Sequence, residues 1–143
     1  MDARPGAKLR CETKLGQGDT MSALLLPAIS LMSKIMGLKT ISPKDLHLAM
    51  QNQRVTVIDV NARPRWELAH VPGAINLDPA QFSAKDLPID RTREMVFYCS
   101  NLLCRKAPNA ARRAMQLGYA NVHVMSAGIS GWMDQQLPTE TAG

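Results

Sequence analysis

Met95-Val96-Phe97-Tyr98-Cys99-Ser100-Asn101-Leu102-Leu103-Cys104-Arg105-Lys106 is the stretch on which the reading of this chain turns. Its first four residues form a short apolar run, as in a strand buried on both faces. The run stops at a cysteine, and Ala107-Pro108-Asn109 then opens a long helical pattern. A thiol therefore sits where a strand hands over to a helix. Such a turn can aim several backbone N–H groups inward as an anion cradle, and the first turn of the helix adds unpaired N–H groups and the positive end of its dipole. A thiolate at that mouth is stabilised, which predicts a depressed ionisation and raised reactivity for Cys99. Cys99 is thus a candidate nucleophile. Ser100, Asn101, Leu102, Leu103, Cys104 and Arg105 form the candidate anion-binding loop, with Arg105 offering a fork of donors. A buried structural cysteine at a strand end is the bland alternative.

Working outward, Val55 to Val60 is a β-branched run that predicts a second central strand. Thr40-Ile41-Ser42 predicts a short strand, after which Ser42 caps a helix with Pro43 at its first position. Leu46, Ala49 and Met50 form the inner face of that helix, and His47 is expected to face solvent. Arg63 to Glu67 suggests a short helix or turn, Ala74 to Leu77 a strand, Pro79 to Phe82 a helical turn, and Leu87 to Arg93 a polar connection. Ala107, Ala110, Ala111, Ala114 and Leu117 share one helical face, and Gly118 closes the helix. Arg112 and Arg113 lie off that face as a solvated basic surface. Val122 to Met125 is the last strand, and Ser126 to Gly131 a loop entering a helix around Trp132. Trp66 and Trp132 read as packing anchors. Strands alternating with helices predict an α/β sandwich with a mostly parallel sheet. Ligands bind at the carboxyl ends of such strands, where Asn61, Cys99 and Ser126 should converge.

The chain has 143 residues, 45% of them hydrophobic and 20% charged, enough for one domain and an appendage. A net charge of +5 favours small anions or an acidic partner and is too modest to argue for nucleic acid. Only 4% of residues are aromatic, which disfavours a base-stacking surface. Three cysteines without a framework pattern suggest a reducing, cytoplasmic setting, and neither they nor His47, His70 and His123 have zinc spacing. No cofactor is expected. Residues 1–20 read as a flexible basic tail carrying Cys11. Residues 21–38 read as a short amphipathic helical appendage, broken by Pro27 and Lys34 and so not a membrane span, suited to capping the domain, a partner protein or a second copy. Residues 39–141 form the main domain.

Three blocks in order resemble the rhodanese-like domain family. Ile58-Asp59-Val60 with Arg65-Trp66-Glu67-Leu68-Ala69-His70-Val71-Pro72-Gly73-Ala74-Ile75-Asn76 is similar to that family's Asp-Val-Arg and Gly-His-Ile-Pro-Gly-Ala signature. Phe97-Tyr98-Cys99 resembles its active-site strand. Gly128-Ile129-Ser130-Gly131-Trp132 with Leu137-Pro138 resembles its closing pattern. The resemblance implies a three-layer fold with a mostly parallel five-stranded sheet flanked by helices. It further implies a sulfurtransferase or persulfide carrier in which Cys99 takes sulfur from a small anionic donor such as thiosulfate and passes it to cyanide, a thiol or a protein acceptor. Asn61, Arg63 and Ser126 are candidate rim residues. Asn61 replaces the family's arginine, and Cys104 takes the usual place of the loop arginine. The resulting Cys-x5-Arg spacing of Cys99 to Arg105 is that of cysteine phosphatases, leaving an oxyanion-processing enzyme as an alternative. A non-catalytic binding module is another. Cys104 is either a resolving thiol for Cys99 or a side chain turned into the core.

Overall fold

Alternation along one strand sorts the interior into two cores. The computed structural model describes residues 38–52 and 54–142. In it the central stretch becomes a strand, Glu94–Tyr98, whose residues 95 to 98 are all buried. Met95, Phe97 and Cys99 point to one side, into a cluster with Ile58, Val60 and a stripe of alanines. Val96 and Tyr98 point to the other, against Leu46, Val57, Val71, Met125 and Trp132. This is the period-2 geometry of a strand covered on both faces.

The elements in chain order are β1 (Lys39–Thr40), α1 (Pro43–Gln51), β2 (Val55–Asp59), α2 (Arg63–Leu68), β3 (Ile75–Asn76), a 3-10 turn (Ala84–Asp86), β4 (Glu94–Tyr98), α3 (Lys106–Gln116), β5 (Val122–Val124) and α4 (Gly128–Asp134). The strands form one sheet in the order β1-β5-β4-β2-β3, and every pairing is parallel. This is the expected α/β architecture of sheet and flanking helices. Its register aligns the strand ends: Asp59 stands opposite Tyr98, and Phe97 opposite Val124. Asn61, Cys99 and Ser126 therefore leave the sheet along one edge, in the middle of which lies β4.

Local sequence explains the framing helices. The Ser42 hydroxyl accepts the Asp45 amide at 3.1 Å, capping α1 with Pro43 in its first turn. Ala107, Ala110, Ala111 and Ala114 are the buried residues of α3, small enough to bring its backbone close to the sheet. Trp132 is fully buried and its indole donates to the Pro138 carbonyl at 2.7 Å, the packing role expected of it. Trp66 likewise donates to the Ala74 carbonyl at 2.9 Å and stacks on His70 with ring centres 4.4 Å apart.

Some expectations are corrected. His47 is half-buried, edge-on to the Trp132 ring with ring centres 5.8 Å apart, because α1 and α4 pack together. Arg113 is not merely solvated: its Nε donates to the Phe82 carbonyl at 3.0 Å and its guanidinium lies over the Phe82 ring. The connection before β4 holds the 3-10 turn at Ala84–Asp86, fixed by Ser83 and Asp86 capping one another. Helix α4 starts at Gly128, so Gly128 to Gly131 are helix and not loop. The tail, Cys11 and the appendage lie outside the described residues, except for Leu38, which is buried in the first core. No helix among the described residues is long and apolar enough to cross a membrane.

Candidate active site

The loop after β4 is built by its backbone. The Asn101 side chain accepts the Leu103 amide at 3.0 Å, and its carbonyl accepts the Cys104 amide at 3.2 Å. These bonds fold the loop back, so that Leu102 and Leu103 project at its tip and Cys104 returns beneath it, packed on the first core. From below, α4 holds the loop: the Ile129 amide donates to the Cys99 carbonyl at 2.9 Å and the Ser130 amide to the Ser100 carbonyl at 3.0 Å. The Ser100 hydroxyl donates to Asn61 Oδ1 at 2.8 Å, tying in the neighbouring strand end. Asn61 is itself placed by Asp59, whose Oδ1 accepts the Asn61 amide at 2.7 Å.

The sequence predicts amides gathered around Cys99 alone; in the structure amides of the same loop and helix start act on two sulfurs. The Ala107 and Ser100 amides lie close enough to Cys99 to lower its ionisation, and the Lys106 and Ser100 amides do the same for Cys104. Lys106 and Ala107 open α3, whose N-cap, Arg105, provides no side-chain acceptor. Sulfur thus meets helix amides that an N-cap oxygen usually satisfies. The two thiols are neighbours, each close enough to shift the other's ionisation.

This sharing reverses the expected ionisation. Burial, reinforced by the hydrogen bond to Cys104 and by the charge there, pushes the Cys99 thiol up to about 12, against the opposing Ala107 and Ser100 amides. Cys99 is only 2% exposed. Cys104 is half-buried. Burial raises it too, but the Cys99 thiol, the Lys106 and Ser100 amides and the Lys106 ammonium outweigh that and hold it below the ordinary thiol range. The pair therefore ionises as a unit, in which each thiol opposes the other: Cys99 is raised and Cys104 is lowered.

The remaining sequence candidates fall in different places. Arg105 is exposed; its carbonyl accepts the Asn109 amide at 3.1 Å, and its guanidinium has no hydrogen bond or ion pair among the described residues. Arg63 pairs with Glu67 at 3.0 Å and lies over the Trp66 ring, on α2. Ser126 follows β5 and is half-buried. Lys106, Ala107, Ile129 and Ser130 went unassigned in the sequence. The first two are marked there only by opening the helix after the loop, and the last two only by lying in the Gly128 to Trp132 block that resembles the family's closing pattern. No group of three His, Cys, Asp or Glu residues able to hold a metal occurs among the described residues.

Asp59 is fully buried beneath this edge, and burial raises its carboxyl above the ordinary range despite the Tyr98 hydroxyl, Asn61 and His70. A folded value above the unfolded one means that, as pH rises between them, the unfolded chain releases its proton first and stability falls. Asp59→Asn keeps an acceptor for the Asn61 amide and removes the proton. Urea midpoints measured from about pH 4 upward should fall for the wild type relative to this variant until the folded value is passed, and then run parallel.

The sequence profile of the rhodanese-like domain matches residues 42–135. Over 101 residues the chain is 32% identical to adenylyltransferase and sulfurtransferase UBA4 of Candida albicans, covering 66% of this chain and 23% of that protein. It is 28% identical over 107 residues to thiosulfate sulfurtransferase GlpE of Haemophilus influenzae, covering 75% of this chain and 99% of that one. The crystal structure of thiosulfate sulfurtransferase from Pseudomonas aeruginosa aligns with a TM-score of 0.65 at 28% identity, covering 73% of this chain and 19% of that one. The chain thus spans a small part of the Candida and Pseudomonas proteins and nearly all of the Haemophilus protein. With a parallel sheet in the order found here, a cysteine loop at the end of its central strand and a profile match across most of the described residues, the chain belongs to the rhodanese-like domain family.

Proposed function

We propose that the protein is a sulfurtransferase that carries a sulfane sulfur as a persulfide on Cys99. The observation that carries this reading is the placement of Cys99: it ends the central strand beside the Ser100 and Ala107 amides and next to Cys104, in a loop whose Cys99 and Ser100 carbonyls α4 holds. The Cys104 thiolate is then a base beside the nucleophile. As the Cys99 sulfur attacks the outer sulfur of a thiosulfate-like donor, its proton passes to Cys104, the donor's S–S bond breaks and sulfite leaves with the electron pair. The new outer sulfur is an anion, and the Ser100, Lys106 and Ala107 amides are placed to stabilise it without reorganising. A second nucleophile, cyanide or a thiol, then removes that sulfur and restores Cys99. A net charge of +5 and the exposed Arg105 and Lys106 favour approach of an anionic donor.

The phosphatase reading has weaker support. Its arginine would have to turn toward the anion held in the loop, whereas the Arg105 guanidinium is exposed and unpaired among the described residues, and Cys104 stands near two of the same amides. Sulfur chemistry uses both thiols. Phosphoryl transfer gives Cys104 no task.

The test is intact and peptide mass spectrometry after brief incubation with thiosulfate. A gain of one sulfur atom on the Cys99 peptide, removed by cyanide, is the expected result. A protein that gains no sulfur on any cysteine and hydrolyses an aryl phosphate would overturn the reading.

A further inference from the structure

The shared cradle gives Cys104 a second task once the persulfide has formed. This inference rests on the sulfurtransferase reading above. We propose that Cys104 is a resolving nucleophile that attacks the Cys99 persulfide within the same loop, expelling the carried sulfur as hydrosulfide and leaving a Cys99–Cys104 disulfide that an external dithiol reduces.

Geometry carries the argument. Both sulfurs lie on one short loop that the Asn101 turn folds back and that α4 clamps at the Cys99 and Ser100 carbonyls, and Cys104 packs on the core cluster that holds Cys99, near enough for each thiol to shift the other's ionisation. An attacking group held beside its target needs no encounter, and such preorganisation is worth several powers of ten over a dissolved thiol. Access points the same way. Cys99 is 2% exposed, so an outside thiol reaches its inner sulfur poorly, whereas Cys104 approaches from within the loop, packed on the same core cluster. Among the described residues these are the two free cysteines, and they lie in one loop.

The step balances. Sulfur loading leaves Cys104 protonated and the outer sulfur of Cys99 anionic. The Cys104 sulfur attacks Cys99 Sγ, its proton passes to the outer sulfur, and the bond between Cys99 Sγ and that sulfur breaks with its electron pair on the leaving group. One hydrosulfide departs. The carried sulfur is reduced by two electrons, and the two cysteines are oxidised by two. A dithiol returns these electrons by thiol–disulfide exchange at Cys104, the more exposed sulfur. With thiosulfate as donor, the sum is thiosulfate and dithiol giving sulfite, hydrosulfide and the oxidised dithiol. This makes the protein a hydrosulfide source coupled to a dithiol pool, an output distinct from handing sulfur to cyanide.

Single turnover tests it. The reduced protein is loaded with thiosulfate, freed of excess donor, and left without added thiol while hydrosulfide and peptide masses are followed. Wild type should release close to one hydrosulfide per Cys99 persulfide and accumulate the Cys99–Cys104 disulfide. Cys104→Ser and Cys104→Ala lack the base that assists loading and should take up sulfur more slowly; once loaded by prolonged incubation with thiosulfate, they should hold the cyanide-removable sulfur and release hydrosulfide at least about 100-fold more slowly per loaded Cys99. Using both variants separates loss of the thiol from any change in packing, and retained sulfur on Cys99 shows that each variant is folded at the site. A wild-type persulfide that persists without the disulfide overturns the proposal and leaves the sulfurtransferase reading intact. A wild type that never gains sulfur overturns both.

Discussion

Gly128→Ala is expected to lower stability by about 3–5 kcal/mol and to abolish measurable sulfur loading of Cys99. Two independent costs meet at this residue. Its φ of 66° lies in the left-handed region, where a side chain brings strain of about 1–2 kcal/mol. A Cβ there would also stand 2.6 Å from the Ser100 carbonyl carbon and oxygen and 2.7 Å from the Asn101 nitrogen. These are backbone atoms of the cysteine loop and cannot swing aside as a side chain does. Relief requires the loop to lift away from α4, which breaks the bonds from Ile129 and Ser130 to the Cys99 and Ser100 carbonyls. In a domain of this size the melting temperature should drop by about 15–30 °C. Gly73 is the control that separates strain from collision: its φ is 78°, but nothing lies within 4 Å of its would-be Cβ. Gly73→Ala should cost only the strain and leave sulfur loading unchanged. Equal losses in the two variants would mean that close approach of α4 to the loop is irrelevant.

The same glycine illustrates what could be read in the chain beforehand. Patterns that depend on neighbours in sequence were legible. The apolar runs at Val55 to Val60 and Met95 to Tyr98, the Ser42-Pro43 helix start and the alanine stripe of α3 each follow from a local rule and appear where those rules put them. Parallel strands joined by helices then bring Asn61, Cys99 and Ser126 to one sheet edge, which topology alone dictates. Facts set by residues distant in sequence were not legible. That α4 begins at Gly128 depends on the fit of its first turn under the Cys99 loop. That His47 lies on Trp132 depends on α1 meeting α4. The ionisation of Cys99 is the sharpest case. An amide cradle argues for a low value, and the amides are there, but counting donors in a loop does not reveal that a second sulfur will be folded among them.

That second sulfur predicts an order of reaction opposite to the one a lone cradle cysteine would show. When the wild-type protein is alkylated under reducing conditions, Cys104 should be labelled first, with a midpoint below the ordinary thiol range, and Cys99 should stay nearly inert through neutral pH. Burial is the largest cause of the raised Cys99 value, and the hydrogen bond and charge of Cys104 add to it. Cys104→Ser removes the charge, offers a hydroxyl donor in place of a thiolate acceptor, and frees the Ser100 amide for Cys99 alone. Burial remains, so Cys99 should fall from about 12 without reaching the range of an exposed thiol. The expected shift of its alkylation midpoint is at least about one pH unit. Each unit multiplies the thiolate fraction about tenfold, while the weaker nucleophilicity of a more acidic thiol returns part of that, so the rate at fixed neutral pH should rise only about threefold per unit. The midpoint is therefore the stronger readout. A Cys99 that labels first in the wild type, and whose midpoint is unmoved in Cys104→Ser, would mean that the two sulfurs ionise independently and that the amides serve Cys99 alone.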